Sequence, residues 1–398
     1  MKFDVAVVGA GIIGTATARQ LQQRYPDLRI ALLDKEDDVG RHQTGHNSGV
    51  VHAGVYYRPG SLKASFCKQG LEETLRFCRE QNLPFEQCGK LIVATDEQEN
   101  TRMQALYRRC NENNVDCVLL NRGQLRAMEP RINGIGAIHV PATAITDFTA
   151  VCRRMAELFA AAGGSLRLNT GVTAIEENDG GIRLHTPASI IEAGLVIACA
   201  GLQSDRLARL HGFEMEFRII PFRGEYYRLP DSRNDLIRHL IYPVPDPALP
   251  FLGVHLTRMI DGGITAGPNA VTGWKREGYG RLNIDFRDAV DMVAFPGFWR
   301  LVGRHFKYGL AELRNSFSRR SYLNAVRKYC PELTLQDLQP HPAGVRAQAV
   351  KNDGSLVDDF LFLESPRSLH VCNAPSPAAT SAIPIARYIC DRTAERIR

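Results

Sequence analysis

The stretch from Met1 to Asp34 constrains the fold of this chain more than any other. An apolar run, Val5–Val8, leads directly into Gly9-Ala10-Gly11-Ile12-Ile13-Gly14. A helix-like segment follows, then a second apolar run, Ile30–Leu33, that ends on Asp34. This order predicts a strand–turn–helix–strand unit with glycines where a dinucleotide pyrophosphate needs them. Gly9 permits the tight turn, Gly11 lets the backbone approach phosphate, and Gly14 lets helix pack on strand. The phosphate then meets the positive helix end at Ile12 and Ile13. Asp34, twenty residues after Gly14 and followed by Lys35, offers a carboxylate to the ribose hydroxyls.

At 398 residues the chain can form two domains, or one domain carrying an inserted one. The net charge of +6 does not by itself imply nucleic acid, and no nucleic-acid partner is expected. Ten cysteines are scattered without a CxxC pair, the pattern of reduced thiols rather than of a disulfide framework or a metal site. The first strand begins almost at once, leaving no room for a signal peptide, and no run of ~20 apolar residues occurs. A cytoplasmic protein is expected.

The nucleotide domain reads as split along the sequence. Phe148–Ala162 has helical spacing and stops at Gly163-Gly164; a strand (Ser165–Leu168), a hairpin-like region (Val172–Thr186) and a buried strand (Leu195–Gly201) follow. Near the end, His370-Val371-Cys372 leads into the small-residue loop Asn373–Ser381 and a final helix, Ile383–Arg396. Between these pieces, Gln87–Thr143 mixes short strands with a charged helix, and Glu216–Asp337 alternates like antiparallel sheet. The expected architecture is α/β in its nucleotide part and α+β overall. A Rossmann-like domain (1–86, 144–215 and 338–398) carries an inserted substrate domain of mixed or antiparallel sheet (87–143 and 216–337).

Trp299–Arg320 stands out within the second insertion. Trp299, Val302, Phe306, Leu310, Leu313 and Phe317 recur at the spacing of one helix face. Arg300, Arg304, Lys307, Arg314, Arg319 and Arg320 stand against Glu312 alone. Two readings follow: a core-packed helix with a solvated basic face, which the sequence favours, or an interfacial helix on an anionic membrane surface.

A second cluster, Arg41–Gly54, combines small, hydroxyl and glycine residues suited to a loop hugging a flat ring and its diphosphate. In order along the chain come GAGIIG with Asp34, the loop Thr44-Gly45-His46-Asn47-Ser48-Gly49-Val50, Ala198-Cys199-Ala200-Gly201, and Gly344-Val345-Arg346. Together they resemble the D-amino-acid-oxidase-type family of FAD enzymes. The runs HNSGVVHAGVYYRPGSLKA (46–64), PFRGEYYRL (221–229), FLGVHLTRMIDGG (251–263) and NAPSPAATSA (373–382) resemble, within that family, the L-2-hydroxyglutarate oxidases and dehydrogenases. Cys199, and Ala347 after Arg346, depart from the commoner family pattern.

The resemblance implies FAD as cofactor, and removal of two hydrogens from L-2-hydroxyglutarate to give 2-oxoglutarate. The alternative is a related amine or glycerol-3-phosphate oxidase or dehydrogenase; a non-catalytic NAD(P)-binding scaffold is a reading of another class. Gly201, Val172, Gly344 and the loop Pro377-Ala378-Ala379-Thr380-Ser381 join the cofactor candidates. The two substrate carboxylates need cations, and Arg346 matches the family position for the α-carboxylate. The hydroxyl proton needs a base, for which His255 is preferred over His52. Tyr56, Tyr57, Arg223, Tyr226 and Arg258 are candidates for the distal carboxylate. His46 lies where related amine dehydrogenases attach flavin, but non-covalent FAD is expected. The basic segment 299–320 points to peripheral membrane contact, at the cytoplasmic face of the inner membrane, and to quinone as acceptor, with O₂ slower.

Overall fold

In a computed structural model described for residues 2–397 except 248, 250, 251, 281 and 282, the two opening apolar runs pair as parallel strands. Phe251, first of the run 251–263, lies outside the described residues. Lys2–Val8 has Ile30–Leu33 on one side and Ile190–Ala198 on the other, both parallel. Val5–Val8 are all buried, as a strand covered on both faces requires. Ser165–Arg167 and Ser368–Asn373 add further parallel strands, and the hairpin of Ala174–Asn178 with Gly181–His185 extends one side antiparallel. Helices Ile12–Arg24, Phe148–Ala161 and Ala382–Thr393 bury their apolar faces in one shared core over this sheet.

Among the described residues the second sheet has nine strands, the shortest of them Val271–Thr272 against Phe222–Arg223. Phe217–Arg228 pairs along its length with Gln339–Lys351, and beyond it follow Ile264–Gly267, His255–Arg258, Leu240–Pro243, Lys90–Ala94, Gly136–Val140 and Val118–Asn121. Gln339–Lys351 thus belongs with the substrate-side sheet, not with the nucleotide part where 338–398 was expected. It is paired with Phe217–Arg228 from Phe217 opposite Lys351 through Arg228 opposite Gln339, and the chain returns to the first sheet only with Leu361–Ser365. The sheet is mixed: Lys90–Ala94 runs parallel to Leu240–Pro243 and antiparallel to Gly136–Val140. Lys90 pairs with Leu240, Ile92 with Tyr242, and Ile241 with Leu256. That register puts Lys90, Tyr242 and His255 on one face.

The segment 299–320 is not one helix. It breaks at His305 and Ser318 into Pro296–Arg304, Phe306–Phe317 and Arg319–Arg327. The Ser318 side chain caps the third helix by accepting the Ser321 N–H. The favoured core-packed reading is also overturned. Trp299 is 56% exposed, Phe306 63%, Leu310 58% and Phe317 86%. Helix Phe306–Phe317 faces the protein with its polar side: Glu312 accepts the Ala270 N–H and Asn315 accepts from Ser321. With the inner side satisfied by polar contacts, the apolar side is left outward. Among the described residues no helix is long and apolar enough to cross a membrane.

Candidate active site

A cavity of about 1050 Å³ runs from the glycine turn to the face of the second sheet. At one end Gly9, Gly11, Ile12 and Ile13 line it, with Asp34 and Lys35 at the tip of the second strand. Gly11 caps helix Ile12–Arg24 without any side-chain bond, while the Ile12 N–H donates to Thr44 Oγ1 at 3.0 Å. Asp34 is fixed by backbone amides: Oδ2 accepts from Ala10 at 2.6 Å and Oδ1 from Glu36 at 3.0 Å. Lys35 bridges the Glu36 and Glu277 carboxylates, the latter at 2.8 Å.

The three motif glycines differ in what forbids a side chain. A Cβ on Gly9 would stand 2.4 Å from the Cys199 carbonyl oxygen, and one on Gly14 1.7 Å from that of Gly9. Both are demanded by the protein's own packing, and Gly14 lies behind the cavity wall rather than on it. A Cβ on Gly11 would meet only Thr44 Oγ1, at 3.5 Å. Nothing among the described residues needs Gly11 bare, so the space it leaves suits a closely approaching phosphate. The residues present therefore fit a dinucleotide.

The middle of the cavity is walled by Thr44, His46, Asn47, Ser48 and Val50 on one side. Val172, Cys199, Ala200 and Gly201 form another wall, and Pro377, Ala378, Ala379 and Thr380 close a third. Gly45, Gly49 and Ser381 shape these loops without lining the cavity; a Cβ on Gly45 would meet the Gly40 carbonyl at 2.8 Å. Thr380 Oγ1 accepts the His52 N–H at 3.1 Å, tying the closing loop to the end of the short strand Val50–Val51. The His46 ring stacks on Tyr279 at 3.4 Å and 7°, and its Nδ1 donates to the His42 carbonyl.

At the far end His255, His52, Arg223, Tyr226, Gly344 and Arg346 all face the cavity. His255 Nδ1 donates to the Gly253 carbonyl at 3.0 Å, which leaves Nε2 as the acceptor. Its ring stacks on Tyr242 at 3.9 Å, and burial lowers its pKa to about 4. Burial, with Lys90 next in weight, lowers His52 to about 3; its Nδ1 is buried without a hydrogen-bond partner. Arg346 opens onto the cavity but protein encloses it, and that desolvation pulls its pKa below the ordinary arginine value. Tyr226, Tyr57 and Tyr308 oppose the shift.

Three distal candidates are elsewhere. Arg258 donates to Glu86 and to the Arg238 carbonyl, outside the cavity: it stands three residues beyond His255 in the same strand and so falls on the opposite face, near a separate surface pocket. The Tyr56 and Tyr57 rings lie behind the wall, under Lys90 and Lys63. Arg223 lines the cavity but is paired to Glu225 at 3.0 Å. Sequence reading passed over Tyr242, Tyr308 and Lys90. A lysine opening the apolar run Lys90–Ala94 is the one signal that could have flagged the last.

A profile of the FAD dependent oxidoreductase family matches residues 4–392. The chain belongs to the FAD dependent oxidoreductase family. L-2-hydroxyglutarate dehydrogenase of Escherichia coli (strain K12) is 50% identical over 391 residues, covering 98% of this chain and 93% of that protein. The mitochondrial L-2-hydroxyglutarate dehydrogenase of Homo sapiens is 42% identical over 412 residues, with 99% and 89% covered. Among solved structures, L-alpha-glycerophosphate oxidase from Mycoplasma pneumoniae with FAD bound superposes with TM-score 0.80 at 22% identity, covering 97% of this chain and 93% of that one. Glycine oxidase from Geobacillus kaustophilus gives 0.76 at 17%, covering 99% and 95%. These two share the family's fold: a parallel cofactor sheet beside an antiparallel-rich second sheet.

Proposed function

We propose that this FAD-dependent oxidoreductase converts L-2-hydroxyglutarate to 2-oxoglutarate and passes the electrons to a membrane quinone, with O₂ as a slower acceptor. The observation that carries the substrate reading is that one cavity joins the glycine turn to a cationic Arg346 and a neutral His255. Full-length identity near 50% to a protein of that activity supports it. When bound, FAD supplies a two-electron acceptor for the hydrogen leaving C2. Gly9, Gly11, Asp34 and the Thr44–Val50 loop hold its dinucleotide part; Gly344 and the Pro377–Ser381 loop enclose the rest. Arg346 binds the α-carboxylate with its guanidinium fork. His255 Nε2 takes the hydroxyl proton, since Nδ1 is already committed to Gly253. His52 is the second candidate for that proton, and Tyr226 and Arg223 stand along the substrate's length.

The FAD is held non-covalently: the His46 ring is packed against Tyr279 and its Nδ1 donates to the His42 carbonyl. Acid precipitation should release the flavin to the supernatant; flavin staying with the pellet would reverse this point. Anaerobic titration with L- and D-2-hydroxyglutarate tests the substrate, with bleaching expected for the L-isomer only.

The acceptor reading rests on the outward apolar residues of the two helices Pro296–Arg304 and Phe306–Phe317. Trp299, Phe306, Leu310 and Phe317 sit among Arg300, Arg304, Lys307 and Arg314, a pairing complementary to an anionic bilayer surface. Each large apolar side chain withdrawn from water is worth about 1.5–3 kcal/mol.

A further inference from the structure

Lys90 begins strand Lys90–Ala94 and is 1% exposed. A buried ammonium is costly unless an anion answers it. None does among the described residues. Its nitrogen lies instead 4.8 Å from the Tyr56 ring centroid and 5.1 Å from that of Tyr242. The other groups acting on it are the thiols of Cys67 and Cys110, each pushed up to about 12 by burial and so neutral. The Tyr56 hydroxyl is also buried without a partner, and burial keeps it protonated. Burial draws Lys90 down to about 8, so it carries its charge at neutral pH. A fixed positive charge thus stands in neutral surroundings, one aromatic ring away from the cavity: Tyr242 and His255 line that cavity on the sheet face that Lys90 shares.

The geometry points to Lys90 as a specificity-determining positioning residue, whose ammonium behind the Tyr242 ring is the counter-charge for the second carboxylate of a dicarboxylate ligand. This rests on the dicarboxylate reading above, with Arg346 taking the first carboxylate. A dianion finds two fixed cations; a monoanion of equal length leaves Lys90 unanswered, and the site discriminates by that difference. Across one ring in a partly desolvated site the field is worth on the order of tenfold or more in affinity.

Glutarate and pentanoate differ only in a carboxylate for a methyl group at the far end, and neither carries the hydroxyl that is oxidised. Each is titrated into the FAD-loaded enzyme and binding is read from the perturbed flavin absorbance. Lys90→Met should weaken glutarate about tenfold or more while pentanoate stays within about threefold, and Lys90→Arg should keep most of the glutarate affinity. Equal weakening of both ligands, or an unchanged glutarate affinity, overturns the proposal. Should Lys90→Met fail to retain flavin, Lys90→Gln makes the same comparison. Because neither ligand turns over, a wild-type enzyme inert toward L-2-hydroxyglutarate would sink the substrate reading while this ratio still judged Lys90.

Discussion

Gly11→Ala separates what the protein needs from what its cofactor needs. The backbone at Gly11 has φ −72° and ψ 177°, extended values that alanine adopts freely. The added Cβ would meet Thr44 Oγ1 at 3.5 Å, ordinary contact. The apoprotein should therefore be as stable as the parent, or about 0.4–1 kcal/mol more stable through the smaller entropy of its unfolded chain. The cofactor should suffer. A methyl group where phosphate approaches the helix end displaces roughly one or two charge-assisted hydrogen bonds, each worth about 1.5–3 kcal/mol. That amounts to about 10- to 10⁴-fold in FAD affinity. Gly14→Ala is the contrasting variant. Its Cβ would fall 1.7 Å from the Gly9 carbonyl oxygen, so helix and strand must part and the apoprotein itself should lose about 1–3 kcal/mol. Urea denaturation of both apoproteins, with FAD reconstitution followed by fluorescence quenching, measures both quantities. An FAD affinity for Gly11→Ala within threefold of the parent would refute the placement of phosphate at Gly11.

Arg276 is buried, paired to Asp205 and Asp291, and donates to the Leu202 carbonyl at 2.9 Å. Arg276→Met takes the nearest cation from the fully buried Asp205, leaving it Arg209 at 3.5 Å and the Ile219 and Arg206 N–H groups, and should cost up to about 3–5 kcal/mol, read as a lowered denaturation midpoint; an unchanged midpoint would contradict the pairing. His255→Gln should lower kcat/KM about 10²–10⁴-fold while flavin content holds, and a loss under tenfold would shift the base to His52. Acid should destabilise the fold between about pH 6.5 and 4. His255 and His52 stay neutral when folded, down to about 4 and about 3, but take protons near 6.5 when unfolded. The unfolded chain then binds more protons in that window, so stability rises with pH across it; a midpoint at pH 4.5 equal to that at pH 7 would count against these environments. Phe306→Ser with Phe317→Ser should abolish binding to anionic vesicles without altering soluble-dye turnover, and equal binding by parent and variant in co-sedimentation would remove the membrane contact.

Much of the cofactor side was legible because its signals are local. Val5–Val8 and Ile30–Leu33 are apolar on both faces because parallel strands are covered on both. The glycines report contacts within one turn, and Gly9 and Gly14 are explained by atoms of that same unit and the adjoining strand. The substrate side was legible only in part. Arg258 shares a strand with His255 but stands three residues on, so it faces Glu86 and the Arg238 carbonyl instead of the cavity, a difference that shows only once the strand's bounds are known. The spacing of Trp299–Phe317 predicts one core-packed helix, whereas the chain forms two that meet at His305 and leave Trp299, Phe306, Leu310 and Phe317 exposed, since periodicity tells which residues could share a face and not whether that face is covered.

The sequence by itself determined that a dinucleotide turn exists, that an acid follows the second strand, and which runs must be buried strands. Those properties follow from backbone sterics and from the period of the apolar residues. The tertiary structure alone decided that Gln339–Lys351 joins the second sheet and brings Arg346 to the cavity. It alone set Lys90 beside Tyr242 and His255, through a parallel pairing of strands some 150 residues apart. It also turned the apolar side of helix Phe306–Phe317 outward, because Glu312 and Asn315 found their hydrogen-bond partners on the inside. Pairing across such distances depends on how whole sheets close, a choice that no local run of residues encodes.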